Sequence, residues 1–290
     1  MSSLVSESGF NRRKAIQKTA ITLLVICTVV VVLPVVFVFG FIIYYGAPAL
    51  SWEFLTQSPS LAGREGGIFP AIVGTFYLMI GTVMISVPVG ALAAVYLTEY
   101  AKQNRLTRII NLAIVNLAGV PSIVYGLFGL AFFVMAVDMG MSLIAASLTL
   151  ACQALCLVVT SSREALLTVP AEHREASLAL GTSKWQTVRH IAIPGALPGI
   201  LTGTVLAMSR AAGETAPILA VGAAFFLPRL PGSPFDQFMA LSYHLYTVSV
   251  HVPGVPKGAI WGTALVLLMV VLTFNVAAII MRIRVRKKKK

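Results

Sequence analysis

Arg210 and Glu214 stand four residues apart in the stretch Arg-Ala-Ala-Gly-Glu-Thr-Ala-Pro, inside a long apolar segment. On a helix that spacing puts both side chains on one face, where they can pair. A guanidinium stays charged in any surroundings and offers a rigid fork of N–H donors to an oxyanion. A carboxylate beside it can hold the fork in place or accept a proton. Arg210 lies 12 residues past Pro198, about 18 Å along a helix, which is close to the middle of a bilayer if the segment crosses one. An ionised group there costs on the order of 2.5–3.5 kcal/mol and marks a functional site by default. The bland alternative is an intrahelical salt bridge. Thr215, Pro217 and the bare backbone of Gly213 favour the lining of a polar cavity over a packed interface.

That segment is one of several built to span lipid. Hydrophobic residues make up 58% of the 290 positions, charged residues 11%, and the mean hydropathy is +0.89. A soluble domain has roughly a quarter of its residues charged. Apolar runs of about 20 residues, enough to cross the hydrocarbon core, recur along the chain. Six spans are expected, at about 20–45, 70–97, 109–137, 140–161, 197–225 and 259–281, in an all-α integral membrane protein. Prolines interrupt several of them (Pro34, Pro88, Pro121, Pro217), and Asn111 and Asn116 make the first half of the third unusually polar. The stretch Ala20–Tyr45 is too long for a signal peptide and ends without a small-residue cleavage site, so it is read as a retained span.

Charge fixes the orientation. With the N-terminus (residues 1–19) in the cytoplasm, Arg12, Arg13, Lys14, Lys18, Lys102, Arg105, Arg108, Arg163, Arg174, Lys184, Arg189 and the seven basic residues of a tail at 282–290 all fall inside. Arg64, Arg229 and Lys257 fall outside. This is the asymmetry of the positive-inside rule. It also disposes of nucleic acid as a partner, because the net charge of +12 sits at span ends and in the tail. Cys27, Cys152 and Cys156 read as small core residues, and His244 and His251 as surface or interfacial residues on the outer stretch 226–258; no metal is expected. A second outer stretch, 46–69, shares its Gly, Pro and aromatic content and suits re-entrant or amphipathic segments.

The connection 163–197 is the longest on the inner side. Pro170 suits a first helical turn, Gly181 a left-handed helix stop, and Ser183 with Gln186 a capping box for a second helix ending at Pro194. No Gly-x4-Gly-Lys-Ser/Thr phosphate loop occurs in the chain. Glu175-Ala176-Ser177, Gly181, Ile191 and Pro194 resemble the EAA loop of bacterial ABC-importer permeases, with both internal spacings kept. Ser177 and Ile193 depart from the usual Ala and Leu. The resemblance implies the type I importer permease fold, a coupling helix that docks on a separate ATPase, and no cofactor in this chain, with ATP and Mg2+ held by that ATPase.

The segment around Arg210, together with Gly66-Gly67-Ile68-Phe69-Pro70 and Gly119-Val120-Pro121-Ser122-Ile123-Val124-Tyr125-Gly126, is similar to the phosphate-specific PstA type of this family. That similarity implies inorganic phosphate as cargo in a bacterial plasma membrane. The implied partners are an external phosphate-binding protein, a second PstC-type permease and two ATPase copies. Arg210, Glu214 and Thr215 would line the pathway; Glu214 would hold Arg210 and accept the proton that phosphate retains. The sister PstC type, or a permease for sulfate or molybdate, is the neighbouring reading. An intramembrane enzyme finds no His pair, Ser–His arrangement or Asp dyad in any span, and a passive channel needs no docking loop.

Overall fold

A computed structural model describes residues 7–287, most of them helical. The centre of the bundle is α6 (Leu143–Leu167), packed between α3 (Phe69–Val95) and α9 (Ile193–Gly213). Ser142 starts α6 by accepting the Ala145 N–H at 3.2 Å, the usual N-cap economy of an otherwise orphaned donor. Its neighbours approach closely because small residues line the seams. A Cβ on Gly90 of α3 would lie 2.7 Å from Val158 Cγ1, and one on Gly203 of α9 would collide with Ser161. In lipid, where apolar surface gains nothing by leaving water, such close packing is what holds helices together.

α1 (Glu7–Gly46) joins the bundle through its last residues, where Tyr45 meets the Trp261 ring at 5.8 Å and Gly46 abuts the Trp261 carbonyl of α12 (Lys257–Lys287). Its apolar side chains are otherwise exposed. Both terminal helices overrun their expected limits. Residues 7–19, expected as a tail, already belong to α1, and α12 continues to Lys287; residues 1–6 and 288–290 lie outside the described residues. Helix propagation from a nucleated apolar run costs little per residue, and neither flank contains proline.

Five helices are long and apolar enough to span a membrane, or six if one bent pair counts as one span. The third expected span is that pair. α4 (Arg105–Leu117) and α5 (Ser122–Gly129, extended through π-helical turns to Ala136) meet at 103°, so 109–137 is not one straight helix. Pro121 supplies no N–H and disfavours a helical residue before it. The Tyr125 hydroxyl donates to the Leu117 carbonyl at 2.8 Å and so satisfies an acceptor freed at the corner.

The fifth expected span, 197–225, is corrected at both ends. The helix does not stop at Pro194: α8 (Lys184–Thr187) passes through a π-helical stretch, Val188–Ala192, directly into α9. The Ile193 N–H reaches back five residues to the Val188 carbonyl, a slipped register that admits a proline without breaking the rod. At the far end α9 finishes at Gly213, where Glu214 turns extended (ψ 131°), and only the short α10 (Ala216–Leu219) follows, with Pro217 in its first turn.

Of the outer stretches, 46–69 holds α2 (Trp52–Thr56) and the two-residue strands β1 (Pro59–Ser60) and β2 (Glu65–Gly66), paired antiparallel. The stretch 226–258 holds α11 (Leu241–Val250), which tucks inward behind fully buried Phe238 and Met239. His251 is exposed beside Tyr246, as expected, but His244 is 4% exposed and belongs to the core. Burial pushes its pKa down to about 4. A histidine neutral in the fold and free to protonate when unfolded leaves stability intact above its ordinary pKa of about 6.5. As pH falls from there toward 4 the unfolded chain binds the extra proton. Stability against thermal unfolding should fall by up to about 1.4 kcal/mol per pH unit in that window, and His244→Phe should flatten the slope.

Candidate functional site

α9 ends within the bundle rather than at its surface. Its partner there, Gln153, lies near the middle of the 25-residue α6, so the break at Gly213 falls at the depth where a spanning helix has its midpoint. Irregular backbone at such depth survives only when protein or a cavity supplies its hydrogen bonds. Here the Ser242 hydroxyl of α11 donates to the Glu214 carbonyl at 2.8 Å, and the Leu241 N–H donates to Thr75 Oγ1 of α3 at 2.9 Å. Ser209 donates to the Asn275 side chain of α12, one residue before Arg210. α11 and α12 thus hold the broken end directly, and α3 in turn anchors α11.

Arg210 and Glu214 come together as their spacing predicts, Nε donating to Oε1 at 2.9 Å. Arg210 occupies the last turn of α9, where the helix dipole favours a cation. Two details could not be read from the sequence. The pair is held through Nε alone, so the two terminal nitrogens of Arg210 have no protein acceptor among the described residues. The same Glu214 Oε1 also accepts Gln153 Nε2 at 2.7 Å. Gln153, Arg210 and Glu214 line a small cavity whose other walls are Leu150, Ala154, Ala207 and Ala211. Thr215 is half-buried one residue on, where its carbonyl accepts the Leu219 N–H; its side chain is not among those walls. The arrangement places paired cationic donors beside a screened carboxylate and an amide, groups whose chemistry suits an anion. Among the described residues no three His, Cys, Asp or Glu side chains gather where a metal could be held.

At one end of the bundle the connection from α6 to α9 forms a second feature. α7 (Ala171–Ala179) starts at Pro170, Gly181 adopts φ +82°, and the Ser183–Gln186 capping box is complete in both directions. Glu175 and Ala176 are exposed, Ile191 and Pro194 half-buried. Leu180 is 85% exposed and Trp185 54%, an uncovered apolar edge beside a groove of about 690 Å3 that runs past His173, His190 and Pro194. Ser177, where Ala is usual, is buried and bonds Thr182 Oγ1 at 2.7 Å and Thr187 Oγ1 at 3.0 Å, bracing α7 against α8.

Arg174 was not singled out by its sequence context, yet it ties this loop to the bundle. It bridges Glu99, in the π-helical end of α3, at 2.9 Å and donates to the Leu166 and Val169 carbonyls at 2.7 Å each. Lys184 adds a contact over the Tyr100 ring at 5.1 Å. Removing Arg174 leaves a largely buried carboxylate and two carbonyls without their donor. Arg174→Ala should therefore lower stability by about 3 kcal/mol, measurable as a fall in melting temperature of the detergent-solubilised protein.

Residues 86–290 match the family described as the binding-protein-dependent transport system inner membrane component. The chain belongs to this family. It is 35% identical to a probable ABC transporter permease protein, YqgI, of Bacillus subtilis, over 92% of this chain and 95% of that protein. It is 34% identical to the phosphate transport system permease protein PstA 1 of Mycobacterium tuberculosis, covering 93% and 90%. The fold agrees with solved importers: the MetNI methionine transporter superposes with a TM-score of 0.61 at 19% identity, over 75% of this chain and 97% of that one. A bacterial alginate importer gives 0.64 at 13%, over 96% and 99%. The protein is thus a multi-pass membrane component of a binding-protein-dependent transport system.

Proposed function

We propose that this chain is the PstA-type permease subunit of an ATP-driven importer of inorganic phosphate, with both termini in the cytoplasm. It forms half of the pathway, a related PstC-type subunit forms the other half, and an external phosphate-binding protein delivers the cargo. Of two copies of a separate ATPase, one docks on the α7–α8 loop of this chain through Glu175, Ala176, Leu180 and Trp185. The observation that carries the reading is the single-point tether of Arg210. A purely structural salt bridge would use the guanidinium fork, whereas here Nε is spent on Glu214 and the terminal nitrogens stay available for a tetrahedral oxyanion. The names of the PstA relatives point to the same cargo.

The loop geometry supports the coupling role. A short rigid helix with a left-handed glycine stop, fastened by Arg174 to α3 and α6, passes a push from below straight into the helices around the cavity. Labelled phosphate uptake by membranes with and without this chain tests the proposal. Uptake should vanish without it; equal uptake would overturn the assignment.

A further inference from the structure

Gln153 is 2% exposed, and its amide orientation is fixed by its partner. Glu214 Oε1 already accepts Arg210 Nε, so the NH2 end of Gln153 must face that carboxylate oxygen. Its own Oε1 is therefore turned to the remaining surroundings, where it is buried and has no hydrogen-bond partner among the described residues. The apolar walls of the cavity, Leu150, Ala154, Ala207 and Ala211, hold no donor side chain. A buried amide oxygen left without a donor costs about 1–3 kcal/mol, which a ligand that brings a donor recovers.

We propose that Gln153 Oε1 recognises the proton carried by the cargo and so makes this site selective for oxyanions that retain an O–H. The inference rests on the phosphate reading of the site. An oxyanion without hydrogens can satisfy the terminal nitrogens of Arg210 but presents only lone pairs to Gln153. Hydrogen phosphate satisfies both at once, its unprotonated oxygens on the guanidinium and its O–H on the amide. Sulfate, fully deprotonated at neutral pH, satisfies one and is repelled by the other. Glu214 cannot do this work as cheaply, because a carboxylate that attracts the proton also repels the anion bearing it. A neutral amide attracts the proton alone.

Fluorophosphate isolates this contact, since it keeps the charge of hydrogen phosphate and replaces the O–H by fluorine. The assembled complex in lipid nanodiscs, without the external binding protein, would be loaded with labelled phosphate and titrated with unlabelled phosphate or fluorophosphate. Phosphate should displace the label about tenfold better, and Gln153→Met should bring the ratio near one, mainly by weakening phosphate. A merely structural role for Gln153 would weaken both ligands alike and keep the tenfold ratio, which overturns the inference. A wild-type ratio near one overturns it whether or not the variant assembles, and leaves the cargo assignment standing. Absence of any phosphate binding to the wild-type complex overturns both.

Discussion

Arg210→Ala should reduce phosphate uptake by at least about two orders of magnitude while the complex still assembles. The terminal nitrogens offer two charge-assisted hydrogen bonds to an oxyanion, each worth about 1.5–3 kcal/mol, and about 1.4 kcal/mol is a factor of ten. The fold should tolerate the change. Glu214 keeps its bond to Gln153, its carbonyl keeps Ser242, and the Arg210 side chain is 38% exposed, so little packing is lost. Arg210→Lys is the informative companion. It keeps the charge and loses the fork, so uptake should fall between the wild type and the alanine variant. Normal uptake in Arg210→Ala, with assembly confirmed by co-purification, would contradict a pathway role for this residue.

Leu180→Asp should release the ATPase. Leu180 is 85% exposed, so no neighbour in this chain depends on it and the chain alone should melt at its usual temperature. An apolar side chain left that far in solvent between Gly181 and the exposed face of α7 is spent only when a partner covers it. Burying a leucine is worth about 1.5–3 kcal/mol, and placing an ionised aspartate in the same contact adds a desolvation cost of its own. Affinity for the ATPase should fall at least tenfold to a hundredfold, read as its loss from the co-purified complex, and phosphate uptake should fall with it. Retained co-purification at wild-type stoichiometry would place the docking surface elsewhere.

Much of the molecule was legible because the physics that sets it is local. Hydropathy located the apolar helices, and the capping box at Ser183–Gln186 and the left-handed turn at Gly181 appear where their residues require. The Arg210–Glu214 pair followed from a four-residue spacing. What escaped is non-local. Gln153 reaches Glu214 across 61 residues of sequence, and as a neutral amide in an apolar helix it gives no signal. Arg174 and Glu99 pair across 75 residues. His244 read as a surface residue because its burial depends on how α11 folds back, not on its neighbours in the chain.

The two misjudged spans share another cause. Proline marks a break, but its consequence depends on what satisfies the freed backbone. At Pro121 the Tyr125 hydroxyl caps the corner and the chain turns through 103°. At Pro194 a slipped hydrogen-bond register keeps the rod intact. At Pro217 the helix has already ended at Gly213, so the Arg210–Glu214 pair stands at a helix terminus in the centre of the bundle. That broken end leaves the terminal nitrogens of Arg210 without an acceptor among the described residues, the feature on which the proposed anion site rests.

The central claim is that phosphate crosses this chain past Arg210, driven by ATP hydrolysis on a separate subunit. Its most direct test is accumulation of labelled phosphate in proteoliposomes holding the complete complex, with the binding protein outside and ATP supplied to the ATPase side. Phosphate should accumulate against its gradient, only with ATP, and unlabelled sulfate in large excess should leave the rate unchanged. Accumulation that survives Arg210→Ala, or that proceeds equally well without ATP, would contradict it.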